Sequence, residues 1–236
     1  MDFLDVTEGS SGTGTDSPPR TLIETAYRQL RRDIIDGNLA AGSKLPVEHL
    51  KDRYQVGAGT LREALGLLVA DSLVVSQGQR GFRVAPMSLQ DLQDLTRTRT
   101  LVECEALKES MLLGRDDWEA SVVSAFHTLT LAEDRLQANA AGAFDDWEAR
   151  NRQFHEALIS ACTSSRLKKV GALLYQQSER YRRISAVKGP LPVEVHEEHR
   201  SIHDAALARN VPAAISALTT HIHRSLSVIT SLGLLK

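Results

Sequence analysis

GNLAAGSKLPVEHLKDRYQVGAGTLREALGLLVADSLVVSQGQRGFRVAP, residues 37–86, is the stretch whose reading decides the fold. VEHLKDRY makes a short helix, QVGAG a tight glycine-bearing turn, and TLREALGLLVAD a second helix. SLVVSQGQRGFRVAP then holds two short β-branched runs around QGQRG, a hairpin pattern. NLAAGSKLP reads as a loop. Upstream, TLIETAYRQLRRDIIDG carries apolar residues at Leu22, Ile23, Ala26, Leu30, Ile34 and Ile35, a helical stripe stopped by Gly37. Helix, helix, turn, helix and a two-stranded wing in that order make a winged helix-turn-helix.

Beyond Pro86 the strand signals vanish. Helical stripes run through about 88–113, 116–139, 145–162, 165–187, 191–209 and 211–232, joined by short Gly, Asn, Pro or Ser breaks. DDWE occurs twice, at 116–119 and 145–148, and its Asp-to-Glu spacing is a capping-box pattern that marks a helix start each time. The expected fold class is therefore mainly α: a winged helix-turn-helix over residues 20–86, then an all-α antiparallel bundle over residues 87–236. Residues 1–19, ending SSGTGTDSPP, have the composition of a disordered tail.

Composition narrows the function. Apolar content of 42% and charged content of 25% describe an ordinary globular chain, and no apolar run approaches the ~20 residues of a membrane span. The acidic N-terminus is no signal peptide. Cys104 and Cys162 fit no metal or redox spacing and read as core residues of a reduced compartment, so the cytoplasm is the expected location. Net charge is −4 over residues 1–19, +3 over 20–83 and −1 over 84–236, which allows a nucleic-acid-binding module fused to a near-neutral partner domain.

GNLAAGSKLPVEHLKDRY, TLREALGLLVADSLVV and QRGFRV followed by MSLQDL resemble the DNA-binding domain of GntR-family bacterial regulators. RTLVE at 99–103, NRQFH at 151–155, EEH at 197–199 and THI at 220–222 resemble the ligand-binding helical (FCD) domain of that family's FadR branch. Within the branch, QVGAGTLREAL and WEARNRQFH look most like the carbon-starvation-induced regulators that respond to glutarate. The resemblance implies a homodimer on double-stranded operator DNA, a metal site and a small effector in the bundle. It does not imply an enzyme.

A recognition helix places its N-terminal side chains in the major groove, where Arg reads guanine O6 and N7 bidentately. Arg62 sits at the start of that helix and is the base-reading arginine of the resemblance. Thr60 can donate to a phosphate or base edge. Lys44 and Arg53 suit backbone phosphates, which position without specifying. Gly78, Arg80 and Gly81 bring backbone and a guanidinium to the neighbouring groove. One departure stands out: family members often carry Ser-Arg-Thr where this chain has Gly57, Ala58 and Gly59. The capping hydroxyl and one base-contacting arginine are missing, so the operator sequence does not transfer.

Five of the eight histidines lie between His196 and His223. Asn151 and His155, four apart, share one face of a helix, and His199 and His221 come from the next two helices. Three imidazoles from three helices suit zinc, nickel or another divalent transition metal with open positions for a ligand. A hydrogen-bonded polar core without metal is the alternative. His199 and His203 share a face, and geometry alone permits either; the family pattern favours His199. The resemblance also places a ligand at Asn151, where many relatives have Asp. His196 and His203 are expected behind the ligands or in solvent, and His127 and His49 on the surface or packed.

An open metal position invites a small carboxylate, possessing oxygen ligands at one end and a charge to be met by cations. Arg99 and Arg152 are the expected effector-binding residues, with Arg180 and Arg182 as further candidates, although RYRR at 180–183 also reads as a solvated face. The reading is a ligand-responsive transcriptional repressor. A metal-dependent hydrolase of the helical-bundle type and a DNA-binding scaffold without effector are the alternatives.

Overall fold

The computed structural model describes residues 21–188 and 194–235. The expected tail at 1–19 and the expected start of a helix at 191 lie outside the described residues. Helix α1 (Leu22–Ile35) leads to strand β1 (Lys44–Leu45), α2 (Val47–Arg53) and α3 (Ala58–Ala70). Strands β2 (Val74–Ser76) and β3 (Phe82–Val84) flank a single 3-10 turn at Gly78–Arg80. Helices α4 (Leu89–Leu113), α5 (Asp116–Ala138), α6 (Ala140–Leu158), α7 (Ser165–Lys188), α8 (Glu194–Leu207) and α9 (Val211–Ser231) follow.

The N-terminal elements close around Leu30, Ile34, Leu45, Leu61, Leu65, Leu68 and Val84. Each such side chain contributes about 1.5–3 kcal/mol when fully buried. Thr21 caps α1 by accepting from the Glu24 amide at 3.1 Å. Gly57 caps α3 with no side-chain hydrogen bond, as its residue type dictates. The wing has three strands rather than the expected two: β1 pairs antiparallel with β3, Lys44 opposite Arg83 and Leu45 opposite Phe82, and β2 flanks β3 on its other edge. Two residues are too short to show a period, so β1 reads as loop in the sequence. Gly81, at φ 83° and ψ −142°, turns the chain back into β3 through a region that only glycine enters readily.

The bundle packs α5 on α6, α8 on α9, and α4 on α7 and α9. Its core includes Leu107, Trp118, Val122, Leu129, Trp147, Phe154, Ile202 and Leu218. The repeated DDWE starts a helix once, at Asp116 of α5, and there without the expected capping box. At 116–119 no side chain caps α5, and Glu119 instead accepts from Arg209 at 2.5 Å. At 145–148 the motif lies inside α6, which begins at Ala140 because Asn139 Oδ1 accepts from the Gly142 amide. Both tryptophans are buried, and that packing is what the repeat shares. No helix of the described residues is long and apolar enough to cross a membrane.

The two cores meet along α7. Arg31 of α1 pairs with Glu179 at 2.5 Å, Arg183 with Asp36 at 2.8 Å, and Arg32 with Asp145 of α6 at 2.9 Å. Arg180 donates to the Ala85 carbonyl at 3.0 Å. The RYRR segment is therefore not a solvated face: Arg180 and Arg182 are buried in this junction and in the bundle.

Candidate metal centre and nucleic-acid interface

Helix α6 carries Asn151 and His155 one turn apart, α8 carries His199 and α9 carries His221. The ligating nitrogens of the three histidines lie within 4.8 Å of one another. His155 Nε2 and His221 Nε2 are 3.3 Å apart. That is about the separation of two nitrogens each ~2.0–2.1 Å from one tetrahedral ion.

Behind every ring stands a carboxylate. His199 Nδ1 meets Glu133 at 2.7 Å, His221 Nδ1 meets Glu198 at 3.1 Å, and His155 Nδ1 faces Glu103 at 3.5 Å. Such partners hold a ring in the tautomer that leaves Nε2 as a lone-pair donor. Burial pushes His155 down to about 4, and burial together with neighbouring His199 pushes His221 down to about 3. Both rings are neutral near pH 7, the form that ligates metal. Burial alone would raise Glu103 and Glu198, but Arg99 and His155 hold the first at about 2, and His221 and Arg224 hold the second at about 2. Glu133, against the same pull of burial, is held low by His199 and His196.

Two buried atoms test whether a metal fits. His199 Nε2 and Asn151 Oδ1 have no hydrogen-bond partner among the described residues, while Asn151 Nδ2 donates to the Tyr175 hydroxyl at 2.8 Å. An unmatched buried polar atom costs about 1–3 kcal/mol, and one divalent ion among the three rings would satisfy His199 Nε2, so the three-histidine donor set fits. His203 Nε2 also lacks a partner, but its ring stacks on Phe126 at 4.3 Å and its Nδ1 pairs with Asp204. His196 joins Glu133 at 2.7 Å, His223 bonds the Thr219 carbonyl, and His127 and His49 are exposed.

A cavity opens beside these rings, lined by Arg99, Asn151, His155, Tyr175, Arg182, His221 and Arg224. Arg99 gives Nε to Glu103 at 2.7 Å and Nη1 to Ser178 at 2.9 Å, and its Nη2 has no partner among the described residues. Arg182 uses all three nitrogens, two on Glu148 and one on Ser178 at 2.6 Å. Arg152 does not line this cavity. It lines a second one, with His155 and Tyr175 as the shared wall.

On the N-terminal unit, α3 exposes Gly59, Arg62, Glu63 and Gly66, one face at helical spacing. The Arg62 side chain is 58% exposed and 4.0 Å from Glu48. Thr60 lies half-buried on the first turn of α3. Lys44 is exposed on β1, and Arg80 with Gly78 and Gly81 forms the wing tip. Arg53 is held by Asp33 at 2.8 Å and lies over the Tyr54 ring, so it serves the join between α2 and α1 as well as facing solvent.

The pattern described as "Bacterial regulatory proteins, gntR family" matches residues 22–84, and that of the "FCD domain" matches residues 94–224. The chain belongs to this family. It is 50% identical over 217 residues to the uncharacterized HTH-type transcriptional regulator BphR of Paraburkholderia xenovorans, covering 92% of this chain and 89% of that one. It is 35% identical over 209 residues to the HTH-type transcriptional repressor GlaR of Escherichia coli, covering 86% of this chain and 93% of that one. A gntR-family regulator from Pseudomonas syringae has a similar crystal structure, at TM-score 0.54 and 27% identity over 90% of this chain and 86% of that one. This gntR-family chain is a DNA-binding transcriptional regulator, not an enzyme.

Sequence reading of this regulator missed Glu133 and Glu198, and took Glu103 only as an inward neighbour of Arg99; the three stand on three different helices. It also missed Arg83, which donates to the Gly42 carbonyl at 2.8 Å and to Gln77, bracing the wing from β3. The strand alternation that faces Arg83 toward Lys44 was readable only once β1 was known to pair there.

Proposed function

We propose that this regulator is a homodimeric repressor whose bundle holds a divalent transition metal, zinc or nickel, and which releases operator DNA when a small carboxylate binds beside that metal. Glutarate is the first candidate effector, from the resemblance in WEARNRQFH and QVGAGTLREAL. The observation that carries the reading is a cluster of three carboxylate-backed histidines, two of which, His155 and His221, line one cavity with an arginine whose Nη2 is unused. His155, His199 and His221 would hold the ion, with Asn151 Oδ1 as a fourth donor. A metal there supplies Lewis-acidic positions for an effector's oxygens.

The chain's own residues do the rest. Arg99 offers Nη2 to a carboxylate, and Tyr175 sits under its guanidinium at 5.1 Å. Ser178, bonded by Arg99 and Arg182, precedes Glu179 and Arg180, which hold α1 and the end of β3. Pocket and DNA-reading unit thus share a few consecutive residues of α7. That gives an effector a rigid route by which to favour one spacing of two recognition helices. Leu101 and Leu112, 67% and 69% exposed and eleven apart on one face of α4, supply apolar surface for a second copy. Arg62 would read a base edge, Lys44 and Arg53 phosphates, and the Gly78–Gly81 tip the neighbouring groove. Repression follows the description of the E. coli relative.

The experiment begins with an operator duplex selected from random DNA by the purified protein. Metal content is measured, and operator affinity is then titrated with glutarate. Stoichiometric metal and weakened binding are expected. A metal-free protein indifferent to glutarate would defeat the effector reading and leave the DNA-binding assignment standing.

A further inference from the structure

His155 separates two cavities. Its Nε2 side meets His221 in the cavity described above, and its Nδ1 side meets Glu103, which lines the other. The second cavity, between α4, α6 and α7, encloses about 370 Å³, within the range of small-molecule sites. Its wall is apolar at Ile159, Gly171 and Ala172 and carries two cations, Arg152 and Lys168.

Neither cation is well matched. Lys168 forms no ion pair among the described residues, and its one hydrogen bond, to the Ser160 carbonyl, is 3.5 Å long. Arg152 reaches Glu179 at 3.4 Å, on the same oxygen that Arg31 holds at 2.5 Å, and its buried Nε has no partner. Of the two acids present, Glu103 is already engaged by Arg99 and His155, and Glu156, which is exposed, forms no ion pair among the described residues. Two under-matched cations against that one carboxylate leave the spare charge of the cavity positive.

We propose that this second cavity is a binding site for a small monocarboxylate with an apolar tail, distinct from the metal pocket and anchored by Arg152. The carboxylate takes donors that Arg152 gives only loosely to Glu179, and the tail covers Ile159 and Ala172. The proposal does not rest on the metal reading, since Arg152 does not line that pocket. Because Glu179 also receives Arg31 of α1, an occupant that recruits Arg152 acts on the contact between the bundle and the DNA-reading unit.

The test is ligand-observed NMR titration of hexanoate, with hexylamine as the control of equal tail and opposite charge. Hexanoate should bind the full-length protein and hexylamine should not. Arg152→Gln should weaken hexanoate by about tenfold or more, the usual weight of a charge-assisted hydrogen bond, and Lys168→Gln, at the Ser160 end of the cavity, should weaken it less. Both side chains are partly exposed, so the variants should fold as wild type by circular dichroism. His221→Ala, which disables the other pocket, should leave hexanoate binding unchanged. Equal binding of the amine, indifference to Arg152→Gln, loss in His221→Ala or no binding at all would each overturn the proposal.

Discussion

Glu133 offers the sharpest test of the metal centre. Its two oxygens each meet a ring nitrogen at 2.7 Å, His199 on one side and His196 on the other. Residues that orient a ligating histidine in this way typically contribute 10–100-fold in metal affinity, about 1.4–2.8 kcal/mol. Glu133→Ala removes both contacts and should lie near the upper end. Glu133→Gln keeps one acceptor oxygen; if that faces His199, the amide turns to His196, whose other tautomer accepts from it. The loss should then be nearer tenfold. Bound metal stabilises the fold by linkage: at a free concentration 100 times Kd the wild type gains about 2.7 kcal/mol, and a tenfold weaker variant about 1.4. For a chain of this size the difference narrows the metal-induced Tm shift by roughly 3–5 °C. Zinc affinity is read by chelator competition and the shift by calorimetry with and without zinc. A folded Glu133→Ala with wild-type zinc affinity would refute the idea that Glu133 orients His199.

Further outcomes are expected. His155→Ala, His199→Ala and His221→Ala should each lower bound metal in elemental analysis, whereas His203→Ala and His223→Ala should not, since those rings bond elsewhere. Arg62→Ala should cost about 1–3 kcal/mol of operator binding while random DNA is held nearly as well; equal losses in a competition assay would mean that Arg62 touches only phosphate. Gly66→Ala should stabilise the protein by about 0.5–1 kcal/mol in urea, because the added Cβ meets nothing within 4 Å. If α3 approaches DNA along its Gly59–Gly66 face, the same variant should bind operator more weakly. Arg99→Lys should lose glutarate binding nearly as fully as Arg99→Ala, measured by calorimetry, because an ammonium cannot match a carboxylate bidentately.

The winged helix-turn-helix was legible in residues 37–86 because each of its signals is local: a helical stripe, a glycine turn, two β-branched runs around QGQRG. The helices of the bundle were legible for the same reason, and so was the pairing of Asn151 with His155, four residues apart on one helix. Their ends were less so. DDWE has capping-box spacing, yet Asn139 took the cap of α6, since a cap depends on which side chain is free to turn back, and Asp145 instead pairs with Arg32 and Arg183.

What the sequence determined by itself was therefore the order of the helices, the exposed face of α3 that carries Arg62, and three histidines on three helices. Tertiary packing decided what surrounds them. It chose His199 over His203 by rotating α8, burying the first completely and laying the second on Phe126. It brought Glu103, Glu133 and Glu198 behind the three rings, and it put Arg99 and Arg152 in different cavities. Periodicity tells which residues share a face of one helix. Which faces converge depends on the rotation and crossing of helices far apart in the chain, and the burial of the whole core sets those.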